Sequence, residues 1–294
     1  VVNFQEEKIM IAVTGATGQL GRLVIHALLK KVSASEIVAA VRSPEKAADL
    51  AALGVQVRQA DYTQPQTLLS AFSGVDKVLL ISSNEIGQRE AQHKAAIDAA
   101  KKAGVKLLAY TSLLHADSSV MGLGGEHRGT EQALTTSGVP YAILRNGWYS
   151  ENYAASIAPA LTHGAFIGAA GEGKIASASR EDYAEAAAAV LTADDSAGKI
   201  YELAGDSAYT LAQFTAEIAS ASGKEVSYVN LPQADFAAAL KTAGLPEALA
   251  EMLADSDAGA AKGALYDESH TLSKLIGRPT TRWQDVVRDF VAKI

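Results

Sequence analysis

Short apolar runs alternate with stretches of helical spacing through the first half of the chain. Runs rich in β-branched residues fall at residues 9–13, 37–41, 55–57, 75–81, 105–110 and 141–144. Each has the length and character of a strand buried on both faces of a sheet. Between them apolar residues recur every three or four positions. Leu20, Leu23, Val24, Ala27 and Leu28 mark one helical face after the first run, and further helices are predicted over residues 44–53, 64–72, 88–103 and 126–136. Strand and helix in alternation specify βα units, hence an α/β protein with a parallel sheet covered by helices on both faces.

The rhythm changes after residue 146. Residues 146–179 carry several glycines and read as loop-rich. A helix over 180–192 and a strand over 199–203 are expected to rejoin the sheet, so that about 180–204 returns to the first domain. A helix over 211–222, a short strand over 226–229 and alanine-rich helices to the end follow; the alanines reflect helix propensity. This divides the chain into a nucleotide-binding domain over 10–145 and a smaller, mainly helical substrate region over 146–294. Residues 1–9 precede the first strand and read as an extension or an expression remnant, with Met10 a natural start.

The join between the first strand and the first helix reads Thr14-Gly15-Ala16-Thr17-Gly18-Gln19-Leu20-Gly21. A glycine turn in that position builds a site for a dinucleotide's phosphates. Gly15 allows the tight turn, Gly18 lets the backbone approach a pyrophosphate, and Gly21 permits close packing of helix on strand. Free N–H groups and the helix dipole then favour the anion. The glycines stand three and three apart, where the commonest dehydrogenase fingerprint separates its first two by one residue. The architecture expected is a Rossmann-type, doubly wound parallel sheet, in which ligands bind beyond the carboxyl ends of the strands.

Residues just after each strand are therefore the candidates. Arg42 follows the second strand, where an NAD site usually places a carboxylate; an arginine suits the 2′-phosphate of NADP(H). Asp61 follows the third, either bordering the adenine or serving as a turn aspartate. Ser82, Ser83 and Asn84 follow the fourth, near the expected sugar and phosphates. Ser112 ends the fifth, and His127 and Glu131 lie four apart on one face of the next helix. After the sixth come Asn146, Trp148, Tyr149 and Asn152, which could line an acceptor pocket or pack a hinge. Lys174, beside Gly171 and Gly173, could meet a phosphate or lie solvated in a loop.

Composition narrows the function. A net charge of −7 with scattered Lys and Arg argues against a nucleic-acid surface. No apolar run reaches the roughly 18 residues of a membrane span. Without cysteine there are no disulfides or thiolate metal sites, and the six histidines fall in no metal-ligand pattern. A reducing, cytoplasmic setting and no metal are expected.

With Ser112 after the fifth strand, the sequence resembles the short-chain dehydrogenase/reductase superfamily. Standard members carry a Tyr and a Lys four residues apart on the next helix, where this chain has His127 and Glu131. That departure points to the atypical, NmrA-like branch. The segments Tyr110-Thr111-Ser112-Leu113-Leu114-His115-Ala116-Asp117, Leu144-Arg145-Asn146-Gly147-Trp148-Tyr149-Ser150-Glu151-Asn152-Tyr153 and Ala170-Gly171-Glu172-Gly173-Lys174-Ile175 look like those of bacterial type 2 NADPH:quinone oxidoreductases. They are similar, less closely, to those of triphenylmethane dye reductases. The resemblance spans Met10 to about Leu275. It implies NADPH as reductant, a quinone or other planar small molecule as acceptor, and hydride transfer without flavin. The same branch includes non-catalytic NADP(H)-binding regulators, the alternative that the missing Tyr/Lys pair leaves open. In an enzyme, His127 and Ser112 are the candidates for proton chemistry, with a plain helical pair between His127 and Glu131 as the simpler reading.

Overall fold

The computed structural model describes residues 8–294; residues 1–7 of the expected leader lie outside the described residues. Nine strands occur among the described residues: β1 (Ile11–Thr14), β2 (Ile37–Val41), β3 (Gln56–Gln59), β4 (Lys77–Leu80), β5 (Leu107–Leu113), β6 (Tyr141–Asn146), β7 (Ala165–Gly168), β8 (Lys199–Leu203) and β9 (Ser227–Asn230). Seven form one sheet in the order β3-β2-β1-β4-β5-β6-β8. The chain starts at the centre, steps outward through β2 to β3, then returns to place β4 on the other side of β1. The strand order therefore reverses between β1 and β4, the switch point where such sheets bind ligands. Pairing is parallel across this point, with Val13 opposite both Ala39 and Leu79. This is the doubly wound sheet that the alternation specified.

Burial explains why the strands read so clearly. Every residue of β1, β2, β4 and β5 is buried. The edge strand β3 carries Gln56, Arg58 and Gln59 and is partly exposed, as an unpaired edge tolerates. The helix Gln19–Leu29 buries Leu20, Val24, Ile25, Ala27 and Leu28. On the other side of the core, Phe72, Ala96, Ile97 and Ala100 pack with Val38, Val78, Leu80 and Leu108. The helix Arg89–Ala103 ends at Gly104, whose φ of 73° stops it with a left-handed residue.

The chain forms two compact units. The first holds the chain up to Ser112 together with Arg128–Leu144 and Ala184–Tyr201. The second holds Leu113–His127, Arg145–Tyr183 and Glu202–Ile294. In the second unit β7 and β9 pair in parallel as a two-stranded sheet. The stretch 146–179, expected to be loop, contains the helices Ser150–Ala154 and Ile157–His163 as well as β7. Segments of one or two turns show too little periodicity to declare themselves. They form because Tyr153, Ala154, Ile157, Ala160 and Phe166 are drawn into an aromatic core with Tyr209, Phe214 and Trp283. The rings of Tyr209 and Trp283 lie 4.7 Å apart. Under this core the buried Asp257 accepts hydrogen bonds from the Tyr153 hydroxyl and the Ala169 N–H, both at 2.8 Å. Burial pushes its carboxyl above the usual aspartate value.

Candidate dinucleotide-binding site

At the carboxyl end of β1 the chain turns through Gly15 at φ 58°, a left-handed conformation that glycine adopts at little cost. The Gly18 N–H closes the turn on the Gly15 carbonyl at 2.9 Å. Gly18 is also the N-cap of the helix Gln19–Leu29, and no side chain caps that end. Gly21 sits against the turn itself: a Cβ there would lie 2.4 Å from the Gly15 oxygen and 2.7 Å from the Ala16 Cα. Only glycine lets helix and loop approach so closely.

A cavity of about 320 Å³ opens over this turn. It is lined by Gly15, Thr17, Gly18, Gln19, Leu20 and Gly21, by Arg42 after β2 and Asp61 after β3, and by Ser82, Ser83 and Asn84 after β4. Thr14, also a candidate from the sequence, lies behind the cavity. The residue is 1% exposed, and its hydroxyl meets the Tyr62 hydroxyl at 2.6 Å, the Leu79 carbonyl at 3.1 Å and the Ile81 N–H at 3.0 Å. The Tyr62 hydroxyl donates in turn to the Ile81 carbonyl at 2.8 Å. Thr14 thus holds two lining residues, Tyr62 and Ile81, in place. Glu85 and Gln92 also line the cavity and were not singled out in the sequence. Glu85 continues the run after β4, whereas nothing in the spacing of Gln92 separates it from a surface helix residue.

Charge in the cavity is mixed. Partial burial raises the Asp61 carboxyl, but hydrogen bonds from Thr63 and the charge of Arg42 outweigh it and hold the group below its usual value. Arg42 is exposed and lies 3.2 Å from Glu85 Oε1. Arg22 is engaged elsewhere, on the Thr17 and Lys46 carbonyls and on Asp49. It braces the glycine turn to the segment after β2.

The second unit holds the other candidates. Asn146 is 5% exposed and Trp148 7% exposed. Among the described residues, Asn146 Oδ1 and Trp148 Nε1 are a buried acceptor and a buried donor with no partner. Such atoms are costly unless a ligand or water satisfies them. Asn146 hydrogen-bonds the Tyr149 hydroxyl. The Arg180 guanidinium covers one face of the Tyr149 ring, 4.6 Å from its centre, and the Tyr183 ring meets it edge-on at 5.3 Å. Arg180 also donates to Asn152 Oδ1 at 2.8 Å. Trp148 packs toward Tyr153, with ring centres 6.4 Å apart. What this segment offers a ligand is therefore polar atoms more than open ring faces. Arg180 opens a helix in the sequence and carried no other signal. Lys174 is exposed, its ammonium 5.6 Å from the Tyr266 ring centre.

The two proton-transfer candidates belong to different units, Ser112 to the first and His127 to the second. The buried Ser112 hydroxyl donates to Glu131 Oε1 at 2.5 Å, so its proton is committed to a carboxylate. His127 is buried on the helix Leu123–Thr136. Among the described residues no cluster of three or more His, Asp or Glu could hold a metal ion, and no helix is long and apolar enough to cross a membrane.

Residues 15–194 match the model of a family described as NAD(P)H-binding. The chain belongs to that family. It is 64% identical over 272 residues to quinone oxidoreductase 2 of Escherichia coli (strain K12), covering 92% of this chain and 95% of the relative. The crystal structure of NADPH-dependent quinone oxidoreductase QOR2 from that organism, complexed with NADPH, superposes with a TM-score of 0.94 at 63% identity, over 95% of this chain and 99% of that one. The triphenylmethane reductase of Citrobacter sp., complexed with NADP(H), superposes with a TM-score of 0.91 at 39% identity, again over 95% and 99%. The family resemblance read from Ser112 and from the segments 110–117, 144–153 and 170–175 holds, and so does the fold it implied. The glycine cradle that a Cβ would fill fits a dinucleotide coenzyme.

Proposed function

We propose that this chain reduces quinones by two electrons with NADPH, without a flavin. The observation carrying the reading is Arg42, a guanidinium lining the same cavity as the glycine turn at the position where NAD sites carry a carboxylate. The 64% identity to a quinone oxidoreductase supports the acceptor class. When bound, NADPH supplies a hydride, and with one proton a quinone becomes a hydroquinone.

The chain's own residues bind, orient and exclude. The backbone N–H groups of Gln19, Leu20 and Gly21 receive the pyrophosphate, and Arg42 receives the 2′-phosphate. Asp61 accepts from the adenine amino group, and Ser82, Ser83 and Asn84 meet sugar and phosphate. Lys174 is available to a phosphate. Asn146 Oδ1 accepts from a carboxamide, and Trp148 Nε1, with Tyr149 and Asn152 beside it in sequence, serves an acceptor oxygen. Ordinary ketone reduction leaves a basic alkoxide that needs an acid close by. A reduced quinone leaves a weakly basic phenolate-type anion that water can protonate, so the missing Tyr/Lys pair is no obstacle.

The test is to mix flavin-free protein with NADPH and a benzoquinone and follow the absorbance of the reduced nicotinamide. Oxidation well above the protein-free rate is expected. Tight NADPH binding without turnover on quinones or dyes would replace this reading with that of a sensor.

A further inference from the structure

We infer that Glu85 is a specificity counterweight in the coenzyme site: it competes with the 2′-phosphate for Arg42 and gives the 2′-hydroxyl of NADH an acceptor. The inference rests on the reading that Arg42 receives the 2′-phosphate. The charged side chains lining the cavity are Arg42, Asp61 and Glu85, one cation against two anions, where a coenzyme bearing a pyrophosphate and a further phosphate must bind. Backbone N–H groups serve the pyrophosphate, but the 2′-phosphate depends on a guanidinium that a carboxylate already faces at 3.2 Å.

Glu85 is built into that position. Its second oxygen, Oε2, accepts from Gln92 Nε2 at 2.8 Å, and Gln92 is 6% exposed on the helix Arg89–Ala103. Its backbone N–H donates to Ser83 Oγ at 3.1 Å. One carboxylate oxygen is thus held by a buried amide while the other faces Arg42. A dianion arriving at Arg42 meets a fixed negative charge and must share or displace the pair. A coenzyme with a free 2′-hydroxyl meets the group that dinucleotide sites use to accept from it. Here that carboxylate comes from the segment after β4 instead of the end of β2. The wild-type site is therefore expected to favour NADPH only moderately and to retain NADH binding.

Equilibrium titrations with NADPH and NADH, read from the fluorescence of the reduced nicotinamide, test this without any acceptor. Glu85→Gln is expected to raise the ratio of NADH to NADPH dissociation constants by about three- to tenfold at low salt, in line with a partly exposed charge pair. The gain should shrink toward one at about 0.3 M salt. Glu85→Ala should act in the same direction, and Arg42→Ala should collapse the ratio. If Arg42→Ala collapses it while both Glu85 variants leave it unchanged or lower it, the counterweight is overturned and the Arg42 reading stands. If Arg42→Ala leaves the ratio unchanged, both fall, whatever the Glu85 variants do.

Discussion

Ser83 donates its backbone N–H to Nε2 of His93 at 2.8 Å, which leaves the ring proton on Nδ1, 2.9 Å from Thr130 Oγ1. The imidazole is fully buried, and burial, with the nearby charge of Arg89, lowers its pKa from 6.5 to about 4. Protonating Nε2 would point a hydrogen at the Ser83 N–H and detach a residue that lines the cavity. The fold favours the neutral ring, whereas the unfolded chain takes up a proton near pH 6.5. Stability from this group is complete above that pH and is lost as pH falls toward about 4. The loss is on the order of 3 kcal/mol. Urea unfolding at pH 7 and near pH 4.5 should show the difference in wild type, and His93→Gln should reduce it. An unchanged difference in the variant would remove His93 as its source.

Gly21 sets a second expectation. The Cβ of Gly21→Ala would meet backbone atoms of Gly15 and Ala16 at 2.4 and 2.7 Å, so the turn must move. Overpacking of this kind costs about 1–3 kcal/mol. Since the atoms displaced belong to the phosphate turn, NADPH affinity should fall about tenfold or more alongside the thermal midpoint. At Gly18 the nearest contact of an added Cβ is 3.2 Å from the Gly15 oxygen, so Gly18→Ala should destabilise the protein less. Calorimetry and coenzyme titration of the pair check both the size and the order.

Ser112 and Glu131 form the next. The serine ends the fifth strand, where the wider superfamily uses such a residue, but its hydroxyl donates to Glu131 Oε1 at 2.5 Å, and both residues are buried. A proton held on a carboxylate is poorly placed for an acceptor, and we expect Ser112 to act as a structural partner. Ser112→Ala should cost about 1–3 kcal/mol by taking one donor from a buried carboxylate. Turnover should stay within a few-fold. A hundredfold fall in kcat with unchanged stability would restore a catalytic role.

The parts of the molecule legible in the sequence are those where local chemistry and burial agree. Strands β1, β2, β4 and β5 are buried throughout, so their sequences are mostly apolar. Residues at the carboxyl ends of β1, β2 and β4 could be named because the doubly wound path carries them to one cavity. Other residues were hidden by long-range partners. Gln92 and His93 sit on a polar-looking helix yet are buried: the Gln92 amide N–H donates to Glu85, and the His93 ring bonds Ser83 and Thr130. Thr14 looked like a ligand contact because it adjoins the glycines, but its hydroxyl is spent on Tyr62 and β4. Tyr149 is a candidate for the acceptor pocket in the sequence, and Arg180, 31 positions on, covers one face of its ring. His115, at φ 51°, is held by its N–H on Glu202 Oε2 at 2.8 Å, a constraint with no local signature.

His127 stands where ordinary members of the superfamily have their catalytic tyrosine, and the acceptor's chemistry decides how much it matters. If the product is a quinol anion, charge is already delocalised over an aromatic ring when the hydride has moved, and proton delivery can follow from water. His127→Ala should then lower kcat on a benzoquinone by less than about tenfold and leave the pH profile of kcat without a lost limb. On an acceptor whose reduction leaves a localised alkoxide, the enzyme should be slow with or without the imidazole. General acid catalysis by His127 would give another pattern: a fall of about 10²–10⁴ in kcat, loss of one arm of the pH profile, and little change in KM. Measuring kcat against pH for wild type and variant on the same quinone separates the two, because burial of His127 alone would alter stability without reshaping the profile.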